Sequence, residues 1–97
     1  MEPNVTVRVV ELNLMLSAPV VVWQRFLEAV NKTGMTVLGT NQHTFPGGGM
    51  TGVVLLAESH AAIHTWPERS HAWCELATCG DPKACDRFEK ALRETLE

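Results

Sequence analysis

The sequence predicts an α+β fold, a two-layer sandwich with two helices on one face of a mainly antiparallel sheet. Two segments, one early in the chain and one at its C-terminal end, carry apolar residues at helical spacing. Between them lie several short apolar runs that are typical of strands, and this clustering favours an α+β sandwich. The expected element order is β-α-β-β-β-β-α. Because the chain has 97 residues, we expect residues 1–97 to form a single domain.

The first predicted strand, residues 5–16, is rich in valine and leucine at alternating positions. Its apolar residues change from odd to even positions near Val9 and Val10. A β-bulge at this point would explain the change, and so would a strand that is buried on both faces.

The first helix is predicted from an apolar stripe at spacings i, i+3, i+4 and i+7. The residues of the stripe are Trp23, Phe26, Leu27 and Val30. Ser17 is placed to act as the N-cap, and Gly34 is placed to end the helix.

The rest of the chain is expected to contain four more strands and a second helix. The strand candidates are residues 35–40, 52–57, 61–66 and 72–79, with a loop, Pro46-Gly47-Gly48-Gly49, after the first of them. Asp81 as N-cap and Pro82 at the first helical position mark the start of the final helix. Its predicted buried stripe consists of Cys85, Phe88, Leu92 and Leu96.

The composition argues against nucleic-acid and membrane partners. The formal net charge is -3 and the eight Lys and Arg residues are scattered, whereas phosphate binding needs clustered cations. No segment reaches the ~20 apolar residues of a membrane span, and we expect no signal peptide. Three cysteines, Cys74, Cys79 and Cys85, are an odd number for such a chain, which predicts reduced thiols and a cytoplasmic location.

The segment from Glu58 to Glu68 concentrates reactive side chains directly after a predicted strand. Ser59 and His64 are the residue types of a nucleophile and its base, so a serine hydrolase is one interpretation, although the Gly-x-Ser-x-Gly turn is absent. A zinc site is another interpretation, but the paired Cys-x-x-Cys is missing. On a strand, His60 and His64 would also lie about 13 Å apart. We therefore expect no metal site.

Glu-Ser-His at positions 58–60, followed by Ile-His-Thr-Trp-Pro-Glu at positions 63–68, resembles the self-processing segment of the bacterial and archaeal S-adenosylmethionine decarboxylases. The resemblance continues upstream in His43-x-Phe45-x-x-x-Gly49-x-Thr51-Gly52-Val53-Val54 and downstream in Thr78-Cys79-Gly80. It implies that the protein cuts its own chain before the serine. The expected products are a β chain, residues 1–58, and an α chain, residues 59–97.

By this resemblance, Ser59 is the precursor of a pyruvoyl group, a self-derived cofactor that takes the substrate amine as a Schiff base. The Ser59 hydroxyl attacks the Glu58 carbonyl, and Thr51 assists this acyl shift. His64 corresponds to the processing base, and Cys79 corresponds to the proton donor of the decarboxylation. The pyruvoyl ketone performs the task that PLP performs in other decarboxylases, because it withdraws electrons from the breaking bond.

Three further positions correspond to substrate-binding residues of the family. Phe45 matches an aromatic that stacks on adenine, Glu68 matches a carboxylate that binds the ribose hydroxyls, and Glu11 is a further acidic candidate on the first strand. The implied substrate is a small-molecule amino-acid derivative, S-adenosylmethionine, and the product is the aminopropyl donor of polyamine synthesis. Since the family works as a dimer with its active site at the subunit interface, the resemblance also implies a homodimer of processed protomers.

Two departures from the family pattern leave other functions open. The N-terminal third lacks the usual Gly-x-His opening, and the sequence ends soon after the last predicted helix, where family members continue through at least one more strand. A pyruvoyl-dependent arginine or ornithine decarboxylase on the same scaffold is therefore an alternative. An inactive homologue that acts as a binding or regulatory subunit is a second alternative.

Overall fold

The computed structural model describes residues 4–15 and 18–97 and confirms the predicted α+β architecture. In chain order, the elements are β1 (Thr6–Asn13), α1 (Pro19–Asn31), β2 (Val37–Thr44), β3 (Met50–Leu56), β4 (Ser59–Trp66), β5 (His71–Thr78) and α2 (Lys83–Leu96). A 3-10 turn, Pro67–Arg69, joins β4 to β5. The predicted order β-α-β-β-β-β-α is therefore the observed one.

The five strands form one sheet in the order β1-β5-β4-β3-β2, and every neighbouring pair is antiparallel. Strands β2 to β5 follow one another as a meander, which short turns are sufficient to join. The β3–β4 turn therefore lies at one end of the sheet, and the β2–β3 and β4–β5 connections lie at the other. β1 and β2 are the two edge strands, so α1 crosses the sheet to connect them.

Both helices contribute to a single core on one face of the sheet. Phe26 of α1 and Phe88 of α2 are fully buried and meet edge to face, with ring centroids 6.0 Å apart. The strands add buried side chains at every second position, for example Val54 and Ile63. The alternate side chains point away from the helices, to what we call the open face. Its residues include Val7, Val9, Glu11, Thr51, Val53, Leu55, His60, Ala62, His64, Trp73 and Glu75.

β1 carries apolar residues on both faces of the sheet, and this corrects the predicted bulge. The strand pairs with β5 residue by residue over its whole length, so no extra residue is inserted. Val10 lies in the core, whereas Val7 and Val9 are 54% and 45% exposed on the open face. Burial on both faces is therefore also wrong for the single chain. The change of parity in the sequence reflects three exposed valines, Val5, Val7 and Val9.

The helix boundaries lie close to the predicted ones. Ser17, the predicted N-cap, is outside the described residues, and α1 begins at Pro19. Gly34, with φ of +80°, follows the end of α1 as predicted. α2 begins one residue later than predicted, and the Asp81 carboxylate accepts the backbone N–H of Lys83 at 2.9 Å. Within the described ranges, neither helix combines the length and apolar character that a membrane span requires.

Three strands are longer than predicted, and β3 gains a single residue because it begins at Met50 and ends at Leu56. β2 continues to Thr44, although the prediction stopped at residue 40. Residues 41–44 are polar and largely exposed because β2 is an edge strand, so apolar alternation does not mark them. β4 begins at Ser59 and not at residue 61, and the predicted cleavage bond therefore lies directly at the start of a strand.

Candidate active site

The bond between Glu58 and Ser59 lies at the β3–β4 turn, at one end of the sheet. Leu56 pairs with Ser59, so Ala57 and Glu58 alone make the turn. Glu58 has a φ of 60°, in the left-handed region that residues with a Cβ avoid. This conformation costs about 1–2 kcal/mol. Strain is therefore located at the residue whose carbonyl belongs to the predicted scissile bond.

Ser59 and Cys79 meet at this end of the sheet because β4 begins where β5 stops. The Ser59 hydroxyl donates a hydrogen bond to the Thr78 hydroxyl oxygen over 2.7 Å. The backbone N–H of Cys79 donates a long hydrogen bond, 3.5 Å, to the Glu58 carbonyl oxygen. The structure thus brings the predicted nucleophile, its target carbonyl and the predicted proton donor together. All of them line one cavity of about 300 Å³.

His64 and Thr51 form a second group on the open face, towards the other end of the sheet. They are paired across β4 and β3, and His64 Nδ1 lies 3.1 Å from the Thr51 hydroxyl oxygen. Trp73 of β5 flanks the other side of His64, with 5.8 Å between the ring centroids. The hydroxyl and the indole together hold the imidazole on the open face.

Phe45 and Glu68 lie at the same end of the sheet as His64. Phe45 follows β2 and is 48% exposed, and Glu68 lies in the 3-10 turn after β4. Together with Thr51 and His64 they line a cavity of about 290 Å³. The ring of Phe45 meets that of His43 edge to face, with centroids 4.6 Å apart. This cavity combines an aromatic surface, a carboxylate and an imidazole, at the lower end of ligand-pocket sizes.

Glu11 lies in the same cross-strand row of the open face as His64. It is paired with Trp73, and Trp73 is paired with His64. Two strand spacings, about 10 Å, therefore separate Glu11 from the imidazole. Its carboxylate lies 3.1 Å from His71 Nε2 and is largely exposed. The structure places Glu11 on the same face as His64, without direct contact to the other predicted site residues.

The two groups of predicted residues lie at opposite ends of one sheet. Ser59 and His64 are five residues apart on β4, which corresponds to about 16 Å at the rise of a strand. Their side chains also point to opposite faces, because Ser59 contacts buried Thr78 while His64 is on the open face. A catalytic base must come within about 3 Å of the proton that it removes. Within one protomer, His64 does not reach Ser59.

Two features at the Ser59 end were not predicted from the sequence. Thr78 is 1% exposed and accepts the Ser59 hydroxyl; its position directly before Cys79 in the matching segment was the available signal. His60 lines the same cavity, and its Nε2 lies 3.0 Å from the Glu75 carboxylate. No local sequence pattern connects His60 with Glu75, because only the pairing of β4 with β5 makes them neighbours.

Cys79 differs from the other two cysteines in its exposure. All three are free thiols, and Cys74 and Cys85 are buried. Burial raises the pKa of the Cys74 thiol to about 12, so it stays protonated and unreactive, whereas Cys79 is open to solvent in the Ser59 cavity. In residues 4–15 and 18–97, no group of three or more His, Cys, Asp or Glu side chains is placed to hold a metal ion.

Comparison with known sequences gives a consistent family match. The family model described as S-adenosylmethionine decarboxylase matches residues 9–97. The chain is 43% identical over 68 residues to the S-adenosylmethionine decarboxylase proenzyme of Prochlorococcus marinus, an alignment covering 70% of this chain and 54% of the relative. It is 42% identical over 74 residues to the same proenzyme of Thermotoga maritima, covering 72% and 57%. The chain spans about half the length of these curated relatives.

A solved structure has the same fold. The crystal structure of the adenosylmethionine decarboxylase from Aquifex aeolicus superimposes with a TM-score of 0.86 at 28% sequence identity. The match covers 99% of this chain and 82% of that chain. Because nearly the whole chain is included, the common fold contains both ends of the sheet.

Proposed function

Because the chain belongs to the S-adenosylmethionine decarboxylase family, we propose that it is a self-processing, pyruvoyl-dependent decarboxylase of S-adenosylmethionine. The surroundings of the bond between Glu58 and Ser59 carry this proposal. A left-handed residue precedes the serine, a backbone N–H contacts the carbonyl oxygen, and the exposed thiol of Cys79 lines the same cavity. A left-handed residue is common in hairpin turns, but a hairpin turn does not require the carbonyl contact or the exposed thiol.

In the proposed processing, the Ser59 oxygen attacks the Glu58 carbonyl carbon, and the peptide C–N bond breaks as the ester C–O bond forms. The hydroxyl proton passes to the Ser59 nitrogen, which becomes a free amine. The N–H of Cys79 stabilises the charge that develops on the carbonyl oxygen. A base then removes the Ser59 Cα proton, and the Glu58 carboxylate leaves as the C-terminus of residues 1–58. Addition of water to the remaining dehydroalanine releases ammonia and leaves a pyruvoyl group at the start of residues 59–97.

The backbone of Glu58 favours this reaction. A non-glycine residue in the left-handed region costs about 1–3 kcal/mol and is kept there only by the surrounding structure. Here the pairing of β3 with β4 imposes the tight turn. Cleavage separates residue 58 from β4, so the strain is present in the uncut chain and absent from the product.

The residues around position 59 fit a pyruvoyl group. Ser59 is half-buried at the start of β4, beside a cavity of about 300 Å³ that also contains Cys79. When present, the ketone of the group withdraws electrons from the bond between the substrate Cα and its carboxylate. Cys79 holds the proton that is delivered to the substrate Cα, and its exposure in the cavity gives the thiol access to the substrate.

We assign substrate recognition to the cavity at the opposite end of the sheet. Phe45 presents a half-exposed ring on which adenine can stack, and Glu68 presents a carboxylate to the ribose hydroxyls. Glu11 adds negative charge on the same face, which suits a sulfonium cation. The relatives described above bear the name of the adenosylmethionine enzyme, which favours this substrate over arginine and ornithine.

We further propose a homodimer in which His64 and Thr51 of one protomer serve the Ser59 of the other. The separation of about 16 Å within one chain supports this arrangement, because His64 of the same chain cannot reach Ser59. The open face also supports it, since Val7 and Leu55 are more than half exposed there and Val9 and Val53 are more than two-fifths exposed. Two sheets that pack face to face about 10 Å apart would cover them. A two-fold axis across the strands would bring opposite ends of the two sheets together.

The same chemistry favours a cytoplasmic location. The proposed proton donor Cys79 is an exposed free thiol, and such a thiol persists in a reducing compartment. The partners proposed in the preceding paragraphs are a small-molecule amino-acid substrate and a second copy of the chain. We propose neither nucleic acid nor membrane as a partner.

Mass spectrometry of the purified full chain tests the proposal. We expect two fragments, residues 1–58 and a pyruvoyl-blocked 59–97, and release of labelled CO₂ from S-adenosylmethionine. Ser59→Ala should remain whole, while Ser70→Ala, the same change in another turn, should still be cut. A parent chain that stays whole would favour the inactive homologue. Release of CO₂ from arginine or ornithine alone would replace the proposed substrate.

A further inference from the structure

Thr78 is a buried threonine whose hydroxyl oxygen receives two hydrogen bonds at the Ser59 end of the sheet. It is the last residue of β5, is paired with Ser59 and is 1% exposed. Its Oγ1 accepts the Ser59 hydroxyl at 2.7 Å and the backbone N–H of Gly80 at 2.9 Å. A hydroxyl oxygen has two acceptor positions, and both are used. The hydrogen bond from the Gly80 N–H therefore fixes the position of the oxygen that accepts the Ser59 hydrogen bond.

We propose that Thr78 is a positioning residue that holds the Ser59 hydroxyl for attack on the Glu58 carbonyl. This inference rests on the proposed self-cleavage. The attack closes a five-membered ring, and rotation about the Ser59 Cα–Cβ bond decides whether the oxygen faces the carbonyl carbon. A serine side chain has three staggered positions. The fixed acceptor on Thr78 selects one of them.

Consecutive residues hold the two reacting groups. Thr78 binds the Ser59 hydroxyl, and the N–H of Cys79 binds the Glu58 carbonyl oxygen. Since a planar peptide unit connects Thr78 to Cys79, the nucleophile and its target are held in one fixed relation, which is how orientation lowers a barrier. The bond also raises electron density on the serine oxygen, because a hydroxyl that donates a hydrogen bond is polarised.

Three substitutions separate positioning from simple packing. Thr78→Val keeps the shape of the side chain and removes the acceptor, whereas Thr78→Ser keeps the acceptor and removes a methyl group. If Thr78 only fills the core, valine is tolerated and serine is harmful; if it positions Ser59, the order is reversed. Thr33→Val is the matched control, because Thr33 is 2% exposed and its hydroxyl also makes two hydrogen bonds, outside the Ser59 cavity.

The experiment follows cleavage of the freshly made full chain by intact mass, with and without hydroxylamine, which splits the ester intermediate. Thr78→Val should cut about tenfold more slowly, the effect of about 1.4 kcal/mol on a barrier. Its hydroxylamine-sensitive fraction should also fall, since the acyl shift is the affected step. Thr78→Ser and Thr33→Val should cut at nearly the parental rate, and thermal unfolding checks that each variant is folded.

Several results would overturn this role. If Thr78→Val cuts at or above the parental rate, Thr78 does not position Ser59. If the ester accumulates in Thr78→Val, the defect lies in the elimination, and the positioning role is again refuted. If Thr78→Val does not fold, Thr78→Ser decides alone, and slow cleavage by this folded variant refutes the positioning role. A parent chain that never cuts removes the proposed function itself, a result distinct from the others.

Discussion

His64→Ala offers a direct test of whether two protomers share the processing site. Ser59 and His64 are five residues apart on β4, so about 16 Å separates them along the strand. Proton removal needs an approach of about 3 Å. A gap of this size exceeds any rearrangement of side chains, and the two residues also point to opposite faces of the sheet. If His64 is the base that serves Ser59, it must therefore belong to the partner protomer, as proposed above.

The expected result follows from random pairing of two variants in one cell. His64→Ala expressed alone should stay whole because both protomers lack the base, and Ser59→Ala should stay whole because it lacks the nucleophile. In a mixed dimer, the His64→Ala chain retains Ser59 and faces an intact His64 on its partner. With equal expression, each His64→Ala chain has an even chance of such a partner. About half of these chains should therefore be cut.

The assay is intact-mass analysis of the two co-expressed variants, which carry tags of different mass. Only the His64→Ala chain should give fragments, and the Ser59→Ala chain should remain whole. If His64 acts within its own protomer, co-expression changes nothing and both chains stay whole. Cleavage of His64→Ala expressed alone would show that His64 is not the base, and it would refute the reasoning at its first step.

Three further predictions concern stability. In Gly52→Ala the new methyl group would overlap the Trp23 ring, and denaturant unfolding should show a loss of about 1–3 kcal/mol; an unchanged midpoint would contradict this packing. Glu58→Gly in an uncleavable background should raise the free energy of unfolding by about 1 kcal/mol, because glycine tolerates the left-handed turn; a decrease would show that the turn is unstrained. The Arg8 hydrogen bond lowers the pKa of Glu89, so the stability from this pair is present above the ordinary glutamate pKa and is lost as pH falls through the lowered value. Arg8→Met should therefore flatten the acid side of a plot of Tm against pH, and an unchanged slope would count against the pair.

The architecture could be predicted because its signals are local. The stripe of α2 and the alternation of β5 each appear within one segment, so the number and order of elements needed no tertiary information. In β1, local signals are not sufficient to predict the structure. Val7 and Val9 change the parity of the pattern, and the sequence alone cannot distinguish a bulge from a second apolar face. The register with β5 resolves this question because it shows that the pairing is continuous.

Part of the candidate site could also be predicted from local sequence, and part could not. The residues from Glu58 to Glu68 stand out because their unusual types lie within one short segment. The five-residue spacing of Ser59 and His64 does not show whether they act together, and β4 separates them along its length. The true neighbours of Ser59 include Thr78, which is 19 residues away in the chain and 2.7 Å away in space.

The sequence by itself determined the α+β class, the element order and the short segment in which the reactive residues lie. These properties depend on side-chain periodicity and residue type, which are local. Only the tertiary structure decided which groups surround the bond between Glu58 and Ser59, and that His64 lies at the far end of the sheet. Strand register and the alternation of faces set these relations, and both arise from pairing between segments that are distant in the chain.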